Sequence, residues 1–540
     1  MVKQSKKNLL MQGSILAAAG ILTRIIGLLY RIPMANMLGA EGNGIYSVAF
    51  GIYNITLTLS SYSLPLAISK IISQQTVNKE YKNSFTVFRN ALIFGLIVGL
   101  AACTLIFFGA DTLEVIYKTR GLAKPLRIVA PTTFIMAILG VFRGLYQGKS
   151  TMIPTALSQI FEQIVNAIVS VTAIYFFMKV YRDSDQVAAY GAAGGICGTF
   201  AGALTALLFL LFVFAIYRPT LNRQIRKDRT QYKASNTEIY KLLFITILPI
   251  IFSQTVYQIG YTLDDLIFGN IMSLKGFTNT VTNSLRGAFN SQYNLLINVP
   301  VAIASSMAAS TIPNIAASAK SKSSDITEKV SAVIKFNMAI AFPSAVGLSV
   351  LARPITCLLF PNLTTYQDTV VNLLVFGSSA VIFYSLSTIT TSILQGMDYM
   401  KTPIYHAAIS VIIHVILVSV LLYSTKLGIY ALLIGNITFP LLVCLLNWHS
   451  VEKYLNYKQE VLKTFGVPFV SSLAMGLVAF LIYHGSYFLI KSNAICIIIS
   501  IAFAVLVYFF LLLLLKCFSE EELKDIPMGS RIARIGHRFL

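Results

Sequence analysis

The chain has 540 residues, of which 56% are hydrophobic and 12% charged, and its mean hydropathy is +0.73. That charged share is about half that of a soluble domain, and apolar runs long enough to cross a hydrocarbon core of about 30 Å recur from end to end. A soluble domain is excluded, and the long Leu/Ile/Ala-rich runs exclude a barrel of short alternating strands.

Fourteen helices are predicted, at residues 11–35, 45–73, 87–110, 124–147, 153–178, 188–217, 239–268, 282–316, 328–351, 368–394, 402–423, 427–449, 464–488 and 492–516. The first apolar run has no early small-residue cleavage site and is expected to stay as a helix. The net charge of +21 would suit a nucleic-acid partner, but most of the 42 Lys and Arg fall on alternate connections, starting with the amino-terminal tail. That is the positive-inside pattern. It makes the charge a topology signal, puts both termini in the cytoplasm, and no nucleic-acid partner is expected.

In the first helix, Arg24 and Arg31 lie two turns apart on one face, separated by roughly 10 Å. A charge at mid-bilayer costs about 2.5–3.5 kcal/mol, so a lipid-facing pair is unfavourable. The pair points to a water-filled interior and an anionic passenger, because guanidinium forks suit bidentate phosphate contacts. Arg24 is the deeper of the two; Arg31, near the outer end, can also snorkel. Asn54 is a polar position in the second helix.

In the fifth helix Gln159, Glu162, Gln163 and Asn166 follow the i, i+3, i+4, i+7 spacing, so one stripe is polar and turns from lipid. Glu162 there suits either a coupling proton or an ion pair with an arginine. Asp264 and Asp265 end the seventh helix, where an exposed outer rim is expected, and they stand with Glu162 and His414 as coupling or ion-pair candidates. Arg286, early in the eighth helix, is the second-half candidate for an anionic head group, and Asn294 of the same helix, like Asn54, is a polar position suited to lining the substrate cavity. His406 and His414 lie two turns apart in the eleventh helix, suited to proton sensing or to a satisfied core. The six cysteines lie in or beside apolar runs and suggest neither a metal site nor a disulfide framework. No P-loop, GxSxG or Cys/His cluster occurs, and no cofactor is expected.

The chain repeats itself. Gln147-Gly148-Lys149 followed by Pro154 matches Gln395-Gly396, Lys401 and Pro403; Pro65-Leu66-Ala67-Ile68-Ser69 matches Pro300-Val301-Ala302-Ile303-Ala304. Helices 1–6 thus correspond to helices 7–12, giving two lobes of like orientation related by an axis along the membrane normal. The expected organisation is an N-terminal lobe at 1–217, a basic cytoplasmic linker at 218–238, a C-terminal lobe at 239–449, and helices 13–14 with a tail at 450–540. The linker, with Arg223, Arg226, Lys227 and Arg229, suits either solvent or anionic lipid headgroups.

Leu22-Thr23-Arg24-Ile25-Ile26-Gly27-Leu28-Leu29-Tyr30-Arg31 and Leu38-Gly39-Ala40-Glu41-Gly42-Asn43-Gly44 resemble the SpoVB and MurJ branch of the multidrug/oligosaccharidyl-lipid/polysaccharide (MOP) exporter superfamily. The stretch from Arg143 through Pro154 to Glu162 is similar as well. The resemblance implies an all-α polytopic fold of fourteen helices in two lobes. It implies an alternating-access flippase for polyprenyl-pyrophosphate-linked saccharides, lipid II foremost, in a bacterial cytoplasmic membrane and not an enzyme. Arg24, Arg31 and Arg286 match cavity arginines of such proteins. Coupling to Na+, H+ or membrane potential is implied, and a monomer is expected. A MATE-type cation/drug antiporter and a membrane-embedded glycan polymerase or glycosyltransferase stand as the alternatives.

Overall fold

A computed structural model describes residues 2–58, 63–230, 235–320, 326–455 and 459–518. Seventeen α-helices and no strand run through these residues. They are α1 Val2–Leu57, α2 Ser63–Val77, α3 Tyr81–Ile116, α4 Ala123–Gly148, α5 Ile153–Val180, α6 Val187–Lys227, α7 Asn236–Leu274, α8 Asn279–Gly287 and α9 Asn294–Lys320. There follow α10 Ile326–Val350, α11 Ala352–Leu359, α12 Gln367–Gly377, α13 Ala380–Gly396, α14 Lys401–Ser424, α15 Ile429–Leu455, α16 Val467–Ile490 and α17 Asn493–Leu514. Among the described residues, ten helices are long and apolar enough to cross a membrane, or eleven if the bent pair α12–α13 is one span. The all-α polytopic class stands; the expected count of fourteen is not reached by this measure.

The expected connection at 36–44 is helical, so the first two predicted helices merge in α1 up to Leu57. α1 does break locally at Gly39, where φ is 65° and ψ is −178°. Only glycine adopts that conformation without large strain. The buried Asn43 amide answers the break, donating to Ala35 O at 2.7 Å and to Gly39 O at 2.6 Å. Such side-chain donation replaces ladder bonds that the kink removes.

The eighth predicted helix is also interrupted. A π-helical turn, Ala288–Tyr293, separates α8 from α9. α6 continues past the expected start of the linker to Lys227, since Arg, Gln and Lys are good helix formers. α7 then starts at a capping box: Ser235 Oγ accepts from Glu238 N, and the Glu238 carboxylate accepts from Ser235 N.

The chain divides into two compact units, Met1–Gly287 and Ala288–Leu540. In the first, α5 and α6 pack most closely, because Gly194, Gly198 and Gly202 form a small-residue stripe on α6. A Cβ on Gly202 would stand 2.5 Å from Glu162 O, and one on Gly194 2.9 Å from Ala173 O. Glycine at this spacing lets two backbones touch, as bilayer packing favours. Phe88, Phe142 and Phe214 form an aromatic trio at 5.4 Å in the core of this unit. In the second unit, Tyr293 Oη donates to Gly377 O at 2.9 Å, and Tyr508 Oη donates to Ala339 O at 2.8 Å.

The repeated Gln-Gly turns share one backbone conformation. After α4, Thr151 N donates to Tyr146 O and Ser150 has φ 57°; after α13, Tyr399 N donates to Leu394 O and Asp398 has φ 70°. Each helix thus ends in a left-handed residue, as helix C-termini commonly do.

Candidate functional site

Two cavities among the described residues of the first unit differ in chemistry. The larger, about 560 Å³, is an apolar crevice between α1 and α3 lined by Ile52, Ala102, Leu105 and Leu113 among others, with no charged residue among the described residues that line it. The smaller, about 220 Å³, is polar and lies among α1, α4, α5 and α6; Arg31, Asn54, Arg143, Glu162, Gln163 and Asn166 are among its lining. Polar recognition belongs to the smaller one.

α1 supplies Arg31, whose guanidinium carbon sits 5.4 Å from the Phe50 ring centroid, a cation–π distance. Phe50 follows the Gly39 break, so the kink sets the approach of the two halves of α1 that form this pair. Asn54, one turn beyond Phe50, lines the same wall. α4 supplies Arg143 and α5 supplies Glu162. Arg143 Nη2 donates to Glu162 Oε2 at 2.7 Å, and Arg143 Nε donates to Ser158 Oγ at 3.2 Å. Their side chains keep 11% and 18% of their surface exposed. The pair is therefore sheltered but still open to the cavity.

The polar stripe of α5 is held from behind. Asn166 Nδ2 donates to Tyr30 Oη at 3.3 Å, while Ser170 Oγ donates to Asn166 Oδ1 and Gly195 O. The glycines of α6 fix the α5 backbone at Glu162 and Asn166. Among the described residues that line the cavity three are charged, Arg31, Arg143 and Glu162, which gives a formal charge of +1. That formal charge is complementary to an anion rather than to a cation.

The candidates read from the sequence thus separate. Arg31, Asn54 and Glu162 come together with Arg143. Arg24 does not line the cavity and is exposed, in a part of α1 where Ile21, Leu22 and Ile25 are exposed too. Of the two arginines of α1, Arg31 is the one that lines this cavity. Glu162 has an arginine partner, but on α4.

Arg286 is fully buried elsewhere in the first unit. Its Nη1 donates to Thr119 Oγ1 at 2.6 Å and to Asn283 Oδ1 at 3.1 Å, and its Nη2 donates to Tyr117 O and Asp265 O. In this conformation it ties the α3–α4 loop to α7 and α8. Asp264 and Asp265 are buried, which corrects the expected exposed rim. α7 runs on to Leu274, so the two aspartates are inside a helix and not at its end. A Cβ on Gly51 would lie 3.8 Å from Asp265 Oδ2, which places that carboxylate against α1.

Asn294 belongs to the second unit and donates to Asn290 Oδ1 at 3.3 Å. His414 is buried there, with Nδ1 3.1 Å from Gly435 O and its ring edge-on to Phe439. A carbonyl only accepts, so this contact puts a proton on Nδ1. His406 Nδ1 lies 2.8 Å from Asn447 Oδ1. Among the described residues, no group of three or more His, Cys, Asp or Glu is placed to hold a metal ion.

Sequence reasoning did not single out Arg143 as a site residue. It is near the end of α4 expected to face the cytoplasm, where positive-inside bias accounts for a basic residue. The usable signal was the polar stripe of α5, which needs a charged partner for Glu162.

Comparison with known proteins agrees with this architecture. The chain is similar to stage V sporulation protein B of Bacillus subtilis (strain 168), with 24% identity over 98% of this chain and 99% of that one. A solved structure described as lipid II flippase MurJ, inward closed, aligns with a TM-score of 0.68 at 16% identity, covering 92% of this chain and 97% of that one. An inward-facing MATE family multidrug resistance transporter of the MOP superfamily aligns with a TM-score of 0.65 at 17% identity, covering 80% and 96%. At such identities the two structures speak for the fold, which is that of the MOP transporters. The family model described as polysaccharide biosynthesis protein matches residues 9–319, more than half of the chain. This multi-pass helical membrane protein therefore belongs to the polysaccharide biosynthesis protein family.

Proposed function

We propose that the protein is an alternating-access flippase that carries a polyprenyl-diphosphate-linked saccharide, lipid II being the leading candidate, from the inner to the outer leaflet of a bacterial cytoplasmic membrane. The observation that carries this reading is the polar cavity of the first unit, where two guanidinium groups face one carboxylate. Its excess positive charge suits the diphosphate, and Asn54 and the Gln159–Gln163 stripe offer neutral hydrogen bonds to the sugar. The polyprenyl tail stays in the hydrocarbon, where each CH2 is stabilised by about 0.8 kcal/mol relative to water.

Access alternates between two pseudo-symmetric lobes in this reading, 1–217 and 239–449, joined by the basic segment 218–238, and both termini face the cytoplasm. Arg24 and Arg286 are proposed to meet the passenger in other conformations of the cycle. The MATE-like fold leaves a cation/drug antiporter as the second architecture to weigh, but a cavity of formal charge +1 opposes a cationic passenger.

The test is transport in proteoliposomes with lipid II and, separately, other polyprenyl-linked glycans. The Arg31→Ala protein is expected to lose at least tenfold in flipping while remaining folded. Equal flipping of every lipid by wild type and variant refutes the assignment.

A further inference from the structure

The proposed anion site already holds an anion of its own. Glu162 occupies Arg143 at 2.7 Å, in the position a phosphate oxygen would take on the same guanidinium fork. The backbone that carries the carboxylate, and the arginine it meets, are both held in place. Gly202 backs the carbonyl of Glu162, and Ser158 holds Arg143 from the other side. We propose that Glu162 is a built-in competitor of the passenger: an incoming diphosphate takes Arg143 from it, and Glu162 thereby sets how tightly the cavity holds an anion. This rests on the anion-binding reading of the cavity and deepens it.

The competition is one of charge. The elements packed against α5 are α1, α4 and α6, and the charged groups they turn to the cavity are Arg31 from α1 and Arg143 from α4; α6 contributes Thr199. Tyr30 and Tyr53 of α1 also line it. With Glu162 ionised the formal charge is +1, and a diphosphate diester brings −2. A cavity of +2 would hold that passenger more tightly and release it more slowly. A carboxylate beside the arginines keeps binding weak enough for delivery on the far side, and it gives Arg143 a partner when the cavity is empty. An unpartnered sheltered guanidinium is costly, so the exchange of one oxyanion for another keeps that cost low at every stage.

The competitor role and a mere positioning role differ in sign, which a four-protein cycle reads. Farnesyl diphosphate is the probe, farnesol its uncharged control, and binding is measured in phosphatidylcholine nanodiscs. If Glu162 competes, Glu162→Gln binds the diphosphate about tenfold more tightly than wild type, Arg143→Gln about tenfold more weakly, and the double variant close to wild type. If Glu162 only positions Arg143, Glu162→Gln binds more weakly and the double variant matches Arg143→Gln; either result overturns the proposal. The double variant carries no unpaired charge, so it decides the matter even if Glu162→Gln does not fold. Should wild type prefer the diphosphate to farnesol while Glu162→Gln fails to tighten, the competitor role alone falls. No preference for the diphosphate in any of the four proteins overturns the anion site itself.

Discussion

At the scale of single residues, three cations illustrate how burial decides a role. Arg286 has its terminal nitrogens engaged by Thr119, Asn283 and two carbonyls, so it acts as a tie between elements. Truncation by Arg286→Ala strands several buried acceptors and should cost about 3 kcal/mol or more of stability. Thermal unfolding in detergent would show it, whereas Arg31→Ala should leave the unfolding midpoint within a few degrees and act on binding. Equal midpoints for both variants would remove the distinction. Lys149, just past α4, donates to Tyr217 Oη at 2.7 Å and to Gln224 Oε1 at 3.3 Å. Burial lowers its pKa from 10.5 to about 8. Between those values the unfolded chain holds a proton that the folded chain has released, so stability rises with pH across that window. The gain is at most about 1.4 kcal/mol per pH unit. Lys149→Met should lose this contribution, and unfolding curves of the two proteins that stay parallel from pH 8 to 10 would refute it.

At the scale of elements, the backbone approach of α5 and α6 fixes the site, and one substitution tests it. A Cβ on Gly198 would collide with Ser170 and with the carbonyl of Asn166, both backbone-anchored on α5. Gly198→Val should therefore push the helices apart, displace the Glu162–Asn166 stripe and cost more than about 2 kcal/mol. A midpoint unchanged from wild type would show that α5 yields without penalty. Much at this scale was legible from residue order. The Gln-Gly turns with a following proline were read as helix ends, and both close with a left-handed residue at the matching position. The polar stripe of α5 was read from its spacing and does line a cavity. Other features were not legible, for physical reasons. Residues 38–44 carry three glycines and read as a connection, yet the amide of Asn43 bridges the break and α1 continues. Asp264 and Asp265 looked terminal because the apolar run fades there, but α7 outlasts its hydrophobic pattern. The fate of Arg286 depended on carbonyls of Tyr117 and Asp265, which no local pattern in α8 announces.

At the scale of the whole molecule, the charge of the cavity bears on what drives a transport cycle. An inside-negative membrane favours outward movement of negative charge by about 2.3 kcal/mol per charge per 100 mV. In the proposed alternating-access cycle the cavity, with its fixed charges, passes from one side of the field to the other. Counting only the charges that line it in this conformation, Arg31, Arg143 and Glu162, the cavity carries +1 when empty and −1 when loaded with a diphosphate diester. The loaded outward step then moves one negative charge out, and the empty return moves one positive charge in. Both halves of the cycle run downhill in the same field, and the two charges of the passenger are shared equally between them. In Glu162→Gln the loaded cavity is neutral and the empty one carries +2. The outward step should then be indifferent to voltage, and the whole dependence should move to the return. Proteoliposomes with a potassium diffusion potential separate the two: a single-turnover measurement reports the outward step, and steady-state flipping includes the return. Wild type should respond to potential in both, and Glu162→Gln in the steady state alone. A wild-type protein indifferent to an imposed potential in both measurements would mean that the passenger's charge is compensated by a co-transported ion, and the field would no longer be the driving force.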